Sequence, residues 1–151
     1  MRNLKVLIAD DQAFIRKGIR TLLERFKHVE ITGEARDGHE ALQLIRETKP
    51  DVVLLDINMP GLNGFEVLEE AAKELPEVRV VILSLHESAE YAAYALRHGA
   101  AGYLPKRVVG VELEQAIKVV MGGETYVSTS ILEKRARKCT EAQNPVVADF
   151  R

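Results

Sequence analysis

Two hydrophobic rhythms take turns along this chain. Residues 4–9 (LKVLIA), 52–55 (VVLL) and 79–85 (RVVILSL) are nearly continuous apolar runs, as expected of strands covered on both faces in a parallel sheet. Residues 29–35 (VEITGEA) alternate instead and read as a more peripheral strand. Residues 101–105 (AGYLP) are the last candidate strand. Pro105 has no N–H to give to a ladder, so this strand is expected at a sheet edge. Helical periods fill the gaps. Over 12–26, Phe14, Ile15, Ile19, Leu22, Leu23 and Phe26 recur near every 3.6 residues. Asp37 with Glu40, and Asn63 with Glu66, each place an N-cap residue three positions before a glutamate and open two further helices. The second of these stops at Pro76, Ser88 caps a fourth helix ending at Gly99, and a fifth runs from about Val111 to Gly122.

Strand and helix thus alternate five times. Because parallel crossovers are right-handed and the strands need cover on both faces, the expected fold is α/β, a doubly wound five-stranded parallel sheet. Residues 1–124 are expected to form this one domain, and 125–151 a C-terminal extension or linker. Such sheets bind ligands at the carboxyl ends of their strands. Asp10 and Asp11, Asp56, Ser84 and Lys106 all fall there, on the first, third, fourth and fifth strands.

Bulk properties narrow the options little. With 46% hydrophobic and 29% charged residues the composition is that of an ordinary globular domain, and a net charge of −2 does not suggest a polyanion binder. Cys139 is the only cysteine, which excludes an internal disulfide and a multi-cysteine metal site. No run approaches a bilayer span, and the N-terminal run is too short for a signal peptide, so a cytoplasmic setting and no membrane partner are expected.

Taken singly, an aspartate after a strand caps a helix or meets solvent, and a lysine there is a surface charge. Gathered on one rim they pose an electrostatic problem. Carboxylates within about 5 Å of one another repel by roughly 3 kcal/mol per pair at an effective dielectric of about 20. A divalent cation removes that cost, and an oxygen-only donor set suits Mg²⁺. A carboxylate is also a nucleophile that needs no general base at neutral pH, and its attack on phosphorus gives an aspartyl phosphate. Lys106 and a cation would neutralise the transferred group, and the Ser84 hydroxyl could donate to one of its oxygens.

The segments "LIADDQ", "VVLLDINMPGLNG", "VVILSLHE" and "GYLPK" resemble the receiver domain of bacterial two-component response regulators, over residues 4 to about 122. The resemblance implies a flavodoxin-like receiver fold with strand order 2-1-3-4-5. It implies that Asp56 accepts a phosphoryl group from a sensor histidine kinase. Asp10, Asp11, Asp56 and the backbone carbonyl of Asn58 would hold Mg²⁺. It also gives Ser84 and Tyr103 the switch positions, Lys106 the phosphate contact, and Asn58 and His86 the positions that tune phosphoryl lifetime. "LSLHESAEYAAYALRHGAAGYLPK" and "GGETYVS" are similar to receivers joined to LuxR-type helix-turn-helix domains. On that reading phosphorylation controls homodimerisation and transcription, with DNA bound only through an output domain outside this chain. Arg107 departs from the pattern, since many relatives carry an acidic residue there.

Two alternatives are a phosphate-independent interaction module, or a stand-alone receiver, on the same fold. A turnover enzyme is not expected. A phosphohydrolase of the haloacid-dehalogenase pattern would need an acidic residue at position 13, which is Ala13, and no Gly-rich phosphate loop is present. In the tail, Ser130 and Glu133 suggest a capping box. The basic cluster Lys134, Arg135, Arg137 and Lys138 is expected to be a helix end and linker rather than a nucleic-acid contact.

Overall fold

The structure, a computed structural model, describes residues 3–133. The strands are β1 (Leu4–Ala9), β2 (Val29–Ala35), β3 (Val52–Asp56), β4 (Arg79–Ser84), β5 (Gly102–Pro105) and β6 (Tyr126–Val127). The helices are α1 (Ala13–Leu23), α2 (Gly38–Thr48), α3 (Gly64–Glu74), α4 (Ala89–Arg97) and α5 (Val109–Met121), the last preceded by a 3-10 turn at Lys106–Val108. All strand pairs are parallel, in the order β2-β1-β3-β4-β5-β6. Helices α2, α3 and α4 cover one face, through Ala41, Ile45, Val67, Leu68, Ala92 and Ala95. Helices α1 and α5 cover the other, through Ile19, Leu23, Leu113, Ile117 and Val120. The central strand β3 is buried at every position, which is why its sequence carries no polar alternation until Asp56.

The caps are largely as the sequence implies. Asn63 and Glu66 form both arms of a capping box. Asp37 accepts from the Glu40 N–H, but the Glu40 carboxylate returns to the N–H of Arg36 rather than to that of Asp37. Ser88 accepts from Tyr91 N–H, and α4 closes at Gly99, whose φ of 102° suits glycine.

Several expectations change. The sheet has six strands rather than five: β6 pairs Tyr126 with Gly102 and Val127 with Tyr103. β5 is therefore not an edge. Pro105 is tolerated because β6 is only two residues long and its pairing ends at Tyr103. Phe14 does not join the core face of α1 but stands 85% exposed. The last described turn begins two residues before the expected box: Ser130 N–H donates to the Ser128 hydroxyl, and Ile131 N–H to the Ser128 carbonyl. Sheet and core also continue past residue 124, since Ile131 is fully buried in the α2–α4 cluster. The basic cluster 134–138, Cys139 and the tail to 151 lie outside the described residues.

One irregularity matters below. The β1–β2 register shifts between Val6 and Leu7, where Val6 faces Ile31 but Leu7 faces Gly33. Thr32 is the extra residue of a β-bulge. Before it, Val29 and Ile31 pack on the α1–α5 side. After it, Ala35 lies in the opposite cluster, which turns Glu34 towards α1.

Candidate functional site

Asp10 follows β1 directly, Asp56 ends β3, Ser84 ends β4, and Lys106 follows β5. The strand order reverses at β1 and β3, and a crevice outside the carboxyl ends opens at such a switch point. Ligand atoms of Asp10, Asp11 and Asp56 all lie within 4.8 Å of one another. Asp10 and Asp56 are buried, whereas Asp11 is exposed. The Lys106 ammonium bridges the two buried carboxylates, 2.8 Å from Asp10 Oδ2 and 3.2 Å from Asp56 Oδ1.

Backbone groups hold the rest. Asp10 Oδ1 accepts from Gln12 N–H at 2.9 Å, and Asp56 Oδ1 accepts from Asn58 N–H at 3.2 Å. Asp10 Oδ2 receives no well-formed hydrogen bond among the described residues; the lysine charge alone faces it. Burial pushes the Asp56 carboxyl up to about 6, and the Asp10 charge adds to that, while Lys106 and the Asn58 N–H oppose it. Burial works against the Lys106 ammonium, but its close contact with the Asp10 carboxylate and the charges of both aspartates outweigh it and raise its pKa.

One lysine thus faces two buried carboxylates with a third beside them, and negative charge is left in excess. An under-satisfied buried oxygen in an all-oxygen set fits a hard divalent cation such as Mg²⁺.

Ser84 and Tyr103 meet at the neighbouring loop. Ser84 Oγ accepts from His86 N–H at 2.9 Å, and the Tyr103 hydroxyl donates to the His86 carbonyl at 2.9 Å. Tyr103 is fully buried, and burial pushes its phenol up, offset in part by the Ser84 hydroxyl nearby. His86 itself is exposed and stacks on Tyr91 at 4.6 Å. Asn58 is exposed at the crevice rim.

Several contributors were not singled out in the sequence. Gly64, at the start of α3, lies so close to β3 that a Cβ there would sit 2.5 Å from the Asp56 carbonyl oxygen. Its place in "NMPGLNG", directly after the N-cap Asn63 and inside the capping box, was the available signal. Arg16 donates to the Asp10 carbonyl, and Glu34 holds Arg16; nothing in their spacing announces this. Arg107 pairs with Glu87, which also accepts from Ser130 Oγ at 3.4 Å. Glu112 accepts from Tyr126 Oη at 2.6 Å and Ser128 Oγ at 3.0 Å. The residue that departs from the related pattern therefore ties the lysine loop to the serine loop and to the segment after β6.

Fold and crevice together define a doubly wound α/β domain with an acidic, lysine-bridged pocket at its switch point. Residues 6–118 match the response regulator receiver domain, and the chain belongs to that family. It is 42% identical over 130 residues to the transcriptional regulatory protein MctR of Rhizobium johnstonii, covering 86% of this chain and 61% of MctR. It is 36% identical over 140 residues to the response regulator GacA of Pseudomonas aeruginosa, covering 93% of this chain and 65% of GacA. The chain thus spans under two thirds of the length of these relatives. A LuxR-family two-component response regulator from Aurantimonas sp. SI85-9A1 superposes with a TM-score of 0.85 at 32% identity, covering 91% of this chain and 99% of that one. The chain is a receiver domain of the LuxR/NarL type of two-component regulator. Among the described residues no helix is long and apolar enough to cross a membrane.

Proposed function

We propose that Asp56 is the phosphoacceptor of this receiver and that it takes its phosphoryl group from a phosphohistidine on a sensor histidine kinase. A carboxylate oxygen attacks phosphorus, the P–N bond breaks, and the imidazole leaves with a proton from solvent. The transfer is a matter of position and charge rather than proton abstraction. Lys106, already bridging Asp10 and Asp56, meets the arriving negative oxygens. Asp10, Asp11, Asp56 and the Asn58 backbone carbonyl would hold Mg²⁺, which supplies charge neutralisation at the phosphoryl oxygens. The domain acts as a partner in its own phosphorylation, not as a turnover enzyme.

The switch follows from the same hydrogen bonds. Ser84 now accepts from His86 N–H, while Tyr103 holds the His86 carbonyl. A Ser84 hydroxyl drawn towards a phosphoryl oxygen lets go of His86, and the 85–88 loop and Tyr103 repack together. Asn58 and His86, exposed at the rim, tune the lifetime of the phosphoryl group. The output of the whole regulator is transcriptional control, through dimerisation and a DNA-binding domain outside this chain, in a cytoplasmic setting.

The observation that carries this reading is the lysine-bridged set of three carboxylates at the β1/β3 switch point. Beryllofluoride, which mimics the phosphoryl group, is expected to bind only with Mg²⁺ and not to Asp56→Asn. Unimpaired binding to that variant would end the proposal.

A further inference from the structure

Asp11 is exposed, so no packing around its side chain explains how it is held towards the two buried aspartates. The turn carrying it is held instead. Asp10 N–H donates to the Ala35 carbonyl at 3.0 Å, Gln12 N–H donates to Asp10 Oδ1, and Arg16 Nη1 donates to the Asp10 carbonyl at 2.7 Å. That carbonyl belongs to the peptide joining Asp10 to Asp11, so its orientation sets where Asp11 points. The Arg16 side chain is only 13% exposed and is aimed by Glu34, which accepts from its Nε at 3.2 Å. Arg20 donates to the other Glu34 oxygen at 2.6 Å but, among the described residues, makes no hydrogen bond to the Asp10–Gln12 turn. Glu34 faces α1 because the β2 bulge turns it there.

We infer that Arg16, aimed by Glu34, is a positioning residue that fixes the Asp10–Asp11 peptide and so sets the affinity of the acidic pocket for a divalent cation. This rests on the magnesium reading above. The sign of the effect makes it specific. Arg16 is positively charged, so by its field alone it would weaken cation binding, and its removal would tighten it. As a positioning group, its removal weakens binding.

The test is calorimetric titration of the metal with Mg²⁺ alone, beside amide hydrogen exchange at Gln12 in metal-free protein. Arg16→Met is expected to weaken Mg²⁺ binding about tenfold and to speed Gln12 exchange by a similar factor. Arg20→Met, which removes the same charge from the same glutamate, should change Mg²⁺ affinity less than about twofold. Unchanged or tighter Mg²⁺ binding by Arg16→Met overturns the inference, as does equal weakening in both variants. If Arg16→Met does not fold, Glu34→Gln takes its place and is read by Gln12 exchange, because losing its negative charge weakens cation binding by itself: faster exchange supports the inference and unchanged exchange overturns it. A wild-type domain that takes up no Mg²⁺ defeats the magnesium reading instead. Gln12 exchange then decides on Arg16, faster exchange in the variant keeping its hold on the turn and unchanged exchange removing it.

Discussion

A carboxyl buried away from water and beside another negative charge gives up its proton late, and Asp56 does so at about 6 against an ordinary value of 3.8. Below about pH 4 the group is protonated in both folded and unfolded chains, and its favourable contribution is fully present. As pH rises from about 4 through 6, the unfolded chain releases the proton first, so the metal-free domain loses stability, by at most about 3 kcal/mol. Asp56→Asn removes the titrating group. It is expected to raise the metal-free melting temperature by several degrees at pH 7, with the gain shrinking to nothing near pH 4. Melting curves across that range check it, and a gain that does not vary with pH would contradict the assignment. Tyr103→Phe, which deletes the donor to the His86 carbonyl, should cost about 1 kcal/mol in urea titration. Asp10, Asp11, Asp56, Ser84 and Lys106 were legible in the sequence because topology alone brings strand ends together. Arg16 and Glu34 were not. Their contact spans α1 and β2 and depends on a bulge at Thr32 that reverses which face of the strand Glu34 occupies.

At the scale of elements, the start of α3 is the tightest joint in the site. Gly64 N–H donates to the Ile57 carbonyl at 2.8 Å, and a Cβ at position 64 would meet the Asp56 carbonyl oxygen and the Ile57 Cα at 2.5 and 2.6 Å. Both obstacles are backbone, which cannot swing aside. Gly64→Ala is expected to cost about 2–3 kcal/mol of stability and to weaken beryllofluoride binding, because the helix can retreat only by shifting Asp56. Denaturant titration beside a binding assay checks both halves; loss of stability with intact binding would separate α3 from the site. Helices were easy to read from the sequence because their caps are local, as Asn63 with Glu66 shows. β6 was not, since two residues after a Gly-Gly pair carry no period, and their strand character comes from bonding to Ala101 and Tyr103 across the sheet.

For the whole molecule, the segment after α5 belongs to the folded body. Ile131 is fully buried on the α2–α4 side, and Glu112 fastens Tyr126 and Ser128. Ile131→Ala should lower stability by about 2–5 kcal/mol, and a chain ended at residue 124 by more, both read by urea unfolding. A shortened chain as stable as the parent would make this segment a passenger. The doubly wound architecture was legible from apolar runs and crossover handedness. The sixth strand depends on distant partners and was not.

That last strand also decides what the sheet offers to other chains. A rim with free N–H and C=O groups invites a foreign strand to add itself, the first step of aggregation. Here Tyr126 and Val127 occupy Gly102 and Tyr103, and Pro105 beyond them has no N–H to give. Among the described residues, what remains outermost here is two residues long, too short a template for a newcomer. On this side the fold leaves little for uncontrolled polymer growth, and the longer edge strand of the sheet is β2, at the opposite rim.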